Sequence, residues 1–286
     1  MRLLVFGTTG QVAKELARRR PQDCTIRFLD RRDADLSDPA ACHAAILASD
    51  VDAVINAAAW TAVDDAEMHE ARATTINADA PGAMAAACLR MNIPLLHLST
   101  DYVFDGAGQL PFAPSDPVAP LSAYGRSKLA GENAIRLTGA HHLILRTSWV
   151  FSPYDGNFVT TMLRLGASRN EVAVIADQIG GPTPAGDIAD ALFVAARGMI
   201  GGKPGGTHHF AGAPDTSWAN LARHVMDQAG LDCAVRDLPS SDYPALAVRP
   251  LNSRLDCASF TLTFGLERPD WRRGVKEVIL NLGDKT

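Results

Sequence analysis

Tyr124 and Lys128 lie four residues apart in the run Tyr124-Gly125-Arg126-Ser127-Lys128, which puts both on one face if the segment is helical. An ammonium beside a phenol favours the phenolate. It draws the tyrosine's pKa down from its unperturbed value of about 10, making it a usable general acid, and can also hold ribose hydroxyls. Alone, such a pair is a common piece of surface packing. Its context is Ser99-Thr100-Asp101-Tyr102-Val103-Phe104-Asp105-Gly106, directly after the apolar run Pro94 to Leu98. In a parallel sheet the C-terminal ends of strands form the ligand crevice. There the Thr100 hydroxyl can share a substrate carbonyl oxygen with Tyr124, and Asp101 can reach a sugar-like hydroxyl. The plainer alternative is a cluster of capping and turn residues.

A second chemistry sits at the start of the chain. The apolar run Leu3 to Phe6 leads into Gly7-Thr8-Thr9-Gly10-Gln11-Val12-Ala13 and then a helix, the place where a nucleotide-binding fold seats a pyrophosphate on backbone N–H groups. The pattern is G-x-x-G-x-x-A rather than G-x-G-x-x-G. Ala13 is small enough for close helix packing, but a glycine turn of this kind also occurs as a plain connector. Asp30 ends the next predicted strand, where its carboxylate can accept from the adenosine ribose. Arg31 and Arg32 follow and can instead hold a 2′-phosphate, so the choice between NAD and NADP stays open, as does a solvated Asp/Arg turn.

These residues need a scaffold that brings strand ends together. Strands are predicted at Arg2–Phe6, Thr25–Leu29, Ala53–Asn56, Pro94–Ser99 and His142–Arg146, because continuous apolar runs mark strands buried on both faces. Helices are predicted at Gln11–Arg20, Pro39–Ala48, Ala78–Met91 and Ala123–Arg136, with Ser37 and Ser122 as caps. This alternation implies an α/β fold, a Rossmann-type doubly wound parallel sheet over residues 1–150. Residues 151–286 read mainly as a smaller, mixed α/β substrate lobe, parts of which return to the first domain. The Pro/Gly-rich pieces Gly180–Pro184 and Gly201–Gly206 separate helices near Ile188–Arg197 and Trp218–Ala229, and Asp270–Leu282 forms a closing helix.

With 286 residues, 47% hydrophobic and a net charge of -5, the chain is an ordinary globular protein. Its acidic balance argues against nucleic acid or anionic membranes as partners. No run approaches the roughly 18–20 apolar residues of a membrane span, and no export signal is visible. Cys24, Cys42, Cys88, Cys233 and Cys257 are odd in number and widely spaced, as reduced, buried thiols of a cytoplasmic protein would be. His208-His209 lacks companion ligands for a metal. His97 reads as a satisfied strand histidine, Trp218 and Trp271 as packing residues, and Arg18-Arg19-Arg20 as a solvated helix end.

Taken together, Gly7–Gln11, Asn56-Ala57-Ala58-Ala59-Trp60-Thr61-Ala62-Val63-Asp64, Ser99–Gly106, Tyr124–Lys128 and Arg146-Thr147-Ser148-Trp149-Val150-Phe151 resemble the dTDP-4-dehydrorhamnose reductases. These are extended short-chain dehydrogenases/reductases that reduce a 4-keto sugar nucleotide with NADPH or NADH. The similarity continues through Gly156-Asn157-Phe158, Asp177–Gly180, Pro182-Thr183 and Arg249–Ser253. The resemblance implies Tyr124 as proton donor, Lys128 as its electrostatic partner and ribose ligand, and Thr100 as the third, hydroxyl member. For the cofactor it implies Gly7, Gly10, Gln11 and Val12 at the pyrophosphate turn, and Asp30 and Arg31 at the ribose end. Asp35 and Leu36 would lie near the adenine, Ala59, Trp60 and Thr61 under the dinucleotide, and Leu98 nearby through its backbone.

For the substrate, a dTDP-sugar, the resemblance implies Thr100, Asp101 and Trp149, with Val63 and Tyr102 as neighbours. It also implies a homodimer. Some members dimerise through magnesium held by glutamates; Glu15 sits at a plausible place, but no other ligands match, so no metal is assigned. Three departures stand out: the missing last glycine, the Arg31-Arg32 doublet, and the run Pro182–Asp187, which follows the pattern only in part. Competing functions are another nucleotide-sugar reductase, epimerase or dehydratase of the superfamily, and a non-catalytic dinucleotide-binding regulatory subunit.

Overall fold

The computed structural model describes residues 1–154 and 156–283. Strands β1 (Arg2–Phe6), β2 (Thr25–Leu29), β3 (Ala53–Asn56), β4 (Leu95–Thr100) and β5 (His142–Thr147) alternate with helices α1 (Gln11–Arg18), α2 (Pro39–Leu47), α3 (Val63–Met68), α4 (Glu70–Thr74), α5 (Ala80–Met91) and α6 (Ala123–Thr138). A π-helical turn, Thr75–Asp79, joins α4 to α5. The second half contains β6 (Val150–Phe151), α7 (Phe158–Gly166), β7 (Glu171–Ile175), β8 (Ile179–Gly180), β9 (Thr183–Pro184), α8 (Ala185–Ile200) and β10 (Gly206–His209). It ends with β11 (Thr216–Ser217), α9 (Trp218–Ala229), β12 (Ala234–Leu238), β13 (Asn252–Ser253), α10 (Ala258–Phe264) and α11 (Trp271–Gly283).

Six parallel strands form the central sheet in the order β10-β5-β4-β3-β1-β2. The apolar runs explain its burial. Leu3 and Val5 enter one hydrophobic core with α8, while Leu4 and Phe6 enter a second with α2 and α5, so helices cover both faces. The strand order reverses around β1, whose neighbours are β2 and β3, the point at which sheets of this kind bind ligands beyond the C-terminal ends of their strands. A third core, built from α7, α9, α11 and the parallel pair β7–β12, holds Val159, Met162, Val225, Trp271 and Val275.

Several local expectations need correction. The cap of α2 is Asp38, whose side chain accepts from Ala41 N–H, and not Ser37. The helix predicted through Arg20 ends at Arg18, and Arg18 and Arg19 are not merely solvated. Both donate to Oε2 of the buried Glu15 and to Glu277, and Arg19 also reaches Asp190. The Gly201–Gly206 run does lie between α8 and α9, but the sequence reading missed β10 at its end, an edge strand that among the described residues pairs with β5. All five cysteines are buried and unpaired, and burial pushes the Cys42 and Cys88 thiols up to about 12. Among the described residues, no helix is long and apolar enough to cross a membrane.

Candidate active site

Three loops leave adjacent strand ends and meet at the crevice. Gly7 closes the first: its φ of 105° is one that L side chains rarely adopt, and its N–H donates to Leu29 O at 3.0 Å. Gly10 then caps α1 without any side-chain hydrogen bond, leaving the first helical N–H groups free for an anion. Val12 is buried beneath this turn. Gln11 does not point freely into the crevice: its amide donates to Val150 O at 3.3 Å and accepts from Ser152 at 2.7 Å, tying the turn to β6.

At the edge of the crevice Asp30 is engaged by its own loop. Arg32 donates to it from the backbone and from the guanidinium, holding its carboxyl down at about 2. Arg31 is exposed and has no ion-pair partner among the described residues. Asp35 accepts from Ser37 N–H at 2.8 Å, and Leu36 is buried in the core beside α2.

The second loop, Ala57–Thr61, is pinned by a residue that sequence reading missed. Asn77, in the π-helical turn, accepts from Trp60 N–H at 2.8 Å, donates to Trp60 O at 3.1 Å and donates to Ser127 Oγ at 2.9 Å. One buried amide therefore ties Trp60 to Ser127 of α6. Close approach makes this possible: a Cβ on Gly131 would collide with the Asn77 carbonyl oxygen. Val63 follows at the start of α3, and Asp64 of that helix pairs with Arg249 at 2.6 Å, anchoring a far loop over this one.

The third loop carries Thr100, Asp101 and Tyr102 off β4. Thr100 and Asp101 are buried, and the Thr100 hydroxyl donates to Asp101 Oδ1 at 3.0 Å. Burial raises Asp101 to about 6, against the opposing pull of hydrogen bonds with Ser253 and Thr100. Tyr102 packs edge-on against Tyr124 with ring centroids 5.6 Å apart.

Helix α6 starts at Ser122, whose side chain accepts from Gly125 N–H at 3.2 Å, and brings Tyr124 and Lys128 onto its inner face. The expected lowering of the tyrosine does not occur. Burial pushes Tyr124 up to about 12, a hydrogen bond with Thr100 works in the opposite direction, and Asp101 raises it further. Lys128 is turned toward β4 instead: Nζ donates to Leu98 O at 2.8 Å and lies 3.2 Å from His97 Nε2. Burial lowers Lys128 to about 8, against an opposing pull from Glu132. A tyrosine held up in this way keeps its proton at neutral pH, which is the state a proton donor requires.

Gly125 lets this helix start sit against the loop, since a Cβ there would strike the Tyr102 carbonyl oxygen. Gly125→Ala is expected to cost about 1–3 kcal/mol through overpacking and to displace Tyr124. Thermal unfolding together with turnover checks both effects; unchanged stability and rate would show that the contact relaxes freely.

Trp149 adopts φ 50°, an unusual conformation for a bulky side chain. Its indole stacks on Trp218 with centroids 3.7 Å apart, and Trp218, also packed on Phe158, is the packing residue expected of it. Trp218 Nε1 in turn donates to Gln178, which borders a cleft of about 440 Å³ also lined by Asp177, Ser240, Tyr243, Arg249 and Leu251. Arg249, which lines this cleft, is the residue that pairs with Asp64 of α3.

Among the described residues no group of three or more His, Cys, Asp or Glu side chains is placed to hold a metal. Glu15 faces two guanidinium groups.

The RmlD substrate binding domain family matches residues 1–283. A dTDP-4-dehydrorhamnose reductase of Sinorhizobium fredii is 40% identical over 286 residues, 98% of this chain and 97% of that protein. Among solved structures, a dTDP-4-dehydrorhamnose reductase of Clostridium acetobutylicum superposes with a TM-score of 0.92 at 33% identity, over 99% of this chain and 100% of that one. The Bacillus anthracis enzyme of the same name, solved in complex with NADP, gives 0.91 at 31% identity over 98% and 99%. The match runs over nearly the whole length of the chain: it belongs to the dTDP-4-dehydrorhamnose reductase family.

Proposed function

We propose that this protein reduces the 4-keto group of dTDP-4-dehydro-L-rhamnose to give dTDP-L-rhamnose, with Tyr124 as proton donor. The observation that carries the reading is a part-buried Tyr124 one helical turn from Lys128 on α6, packed edge-on against Tyr102 beside the buried Thr100. The named activity of full-length relatives at about this level of identity supports the substrate.

The residues present fit a dinucleotide. The uncapped start of α1 offers backbone N–H groups to a pyrophosphate, and the positive φ of Gly7 keeps the turn free of a side chain. When bound, the nicotinamide supplies a hydride to the C4 carbonyl carbon. Thr100 and Tyr124 then meet the charge that grows on the carbonyl oxygen. Tyr124 gives its proton to that oxygen, and the ammonium form of Lys128 would steady the phenolate left behind once Nζ swings from Leu98 O and His97 toward it. Thr100 donates its one hydroxyl proton to Asp101 at 3.0 Å, so that proton must rotate from the carboxylate to the substrate oxygen before Thr100 can share the charge. Trp149, backed by Trp218, forms a flat apolar wall for the sugar.

NADPH is the favoured reductant on the strength of the ribose end. Asp30 is neutralised by Arg32, and the exposed Arg31 is left to meet a 2′-phosphate. Arg31→Ser is expected to raise KM for NADPH by about tenfold or more, the value of a charge-assisted hydrogen bond, with little change for NADH. Equal effects on both cofactors would remove Arg31 from this role.

The direct test follows absorbance at 340 nm with purified protein, NADPH and dTDP-4-dehydro-L-rhamnose generated in place. Rapid oxidation supports the proposal. Absence of oxidation, with cofactor binding demonstrated separately, contradicts it.

A further inference from the structure

Behind Lys128 runs a hydrogen-bonded chain that the proposed reaction leaves unused. Asn56, His97 and Lys128 come from β3, β4 and α6, and all three are buried, with exposures of 1%, 0% and 2%. The Asn56 side-chain nitrogen lies 3.1 Å from His97 Nδ1, and His97 Nε2 lies 3.2 Å from Lys128 Nζ.

Proton positions along this chain follow from its far end. The Ala58 N–H can only donate, so the Asn56 atom 3.1 Å from it is the amide oxygen. The NH2 group of Asn56 therefore faces His97 Nδ1, which must accept. His97 is deeply buried and stays neutral, because burial and the nearby Lys128 and His142 hold it well below its ordinary value. A neutral imidazole with a bare Nδ1 carries its proton on Nε2, pointing at Lys128 Nζ. The amine form of Lys128 can accept that proton with its lone pair while donating to Leu98 O; the ammonium form has no lone pair and meets an N–H head-on.

We propose that His97, its tautomer fixed by Asn56, is a positioning residue that favours the amine form of Lys128 and thereby sets the pH range in which the site works. The inference rests on the reading of Lys128 as partner of Tyr124. Other groups facing Lys128 do not reproduce the effect. Glu132, one turn along α6, pulls toward the ammonium but is neutralised by Arg146 of β5 and by Arg136, and Tyr124 is protonated.

Two substitutions reverse the arrangement. Asn56→Asp keeps an acceptor for Ala58 N–H but requires a proton on His97 Nδ1, leaving Nε2 bare to accept from the ammonium. His97→Gln keeps a polar group in place whose amide can rotate to offer Lys128 an oxygen.

The experiment is an NMR titration of protein labelled at the lysine side-chain ε carbons, with the Lys128 resonance identified by its loss in Lys128→Met. The wild-type midpoint is expected near 8, and both variants are expected to raise it by about one pH unit or more. The alkaline limb of kcat should move upward with it, whereas a purely structural role would lower kcat at every pH without moving the limb. Midpoints that stay in place or fall overturn the proposal. If Asn56→Asp does not fold, His97→Gln carries the test alone. The titration needs no turnover, so failure of the proposed reduction appears separately, as a wild-type protein that titrates as described but oxidises no NADPH.

Discussion

Tyr124→Phe is expected to lower kcat by about 10²- to 10⁴-fold, the usual contribution of a positioned general acid. The substitution removes one hydroxyl and keeps the ring, so the edge-on packing against Tyr102 at 5.6 Å survives. The free α1 N-terminus and the Gly7 turn are untouched, and cofactor affinity should not change. Thr100 remains as a hydrogen-bond donor but has no comparable proton to give. Steady-state kinetics and a fluorescence titration with NADPH separate the two quantities. A loss confined to cofactor binding, or a rate within a few-fold of wild type, would remove Tyr124 from the chemistry.

The largest expected effect on stability lies directly behind the site. Glu132 is fully buried and accepts two hydrogen bonds from Arg146, at 2.9 and 2.7 Å, one from Ser99 at 2.6 Å and one from Arg136 at 2.7 Å. Glu132→Ala strands the Arg146 guanidinium, itself 2% exposed, at a cost of about 3–5 kcal/mol. In a chain of this size that corresponds to a Tm lower by roughly 10 °C. The same pair makes stability depend on pH. Arg146 and the Ser99 and Arg136 hydrogen bonds hold Glu132 below its ordinary value against burial, so its stabilising contribution is present above the usual carboxylate range and is lost as pH falls through the depressed folded value. Calorimetry of wild type and variant between neutral and acidic pH should show the gap narrowing on acidification. A constant gap would mean that the charge of Glu132 contributes nothing.

Strands β1 to β5 were legible because a sheet covered on both faces needs uninterrupted apolar runs, and Leu3–Phe6 or Leu95–Leu98 supply them. Strand β10, Gly-Thr-His-His, offers no such run: it is an edge strand whose histidines are buried by α10 and by Arg146 rather than by apolar periodicity. The short α3, α4 and the π-helical turn fall below the length at which a helical period can be read, and the two-residue strands of the second half carry no pattern at all.

In the site, the spacing of Tyr124 and Lys128 is local and was readable. Asn77 and His97 were not, because their roles lie in contacts 17 to 50 residues apart in sequence. His97 does have satisfied ring nitrogens, as a strand histidine should; what sequence could not reveal is that one of its partners is Lys128. The electrostatics were misjudged for a related reason. The i to i+4 spacing suggested that Lys128 faces the phenol, whereas the backbone oxygen of Leu98 and the imidazole of His97 draw the amine away toward β4.

The most direct measurement of the central claim uses NADPH carrying deuterium on the transferred position of its nicotinamide, with dTDP-4-dehydro-L-rhamnose as acceptor. Mass spectrometry and proton NMR of the product should find one deuterium, bound to C4 of the hexose, and Tyr124→Phe should slow its appearance. A sugar recovered without deuterium, or labelled at another carbon, would contradict the account.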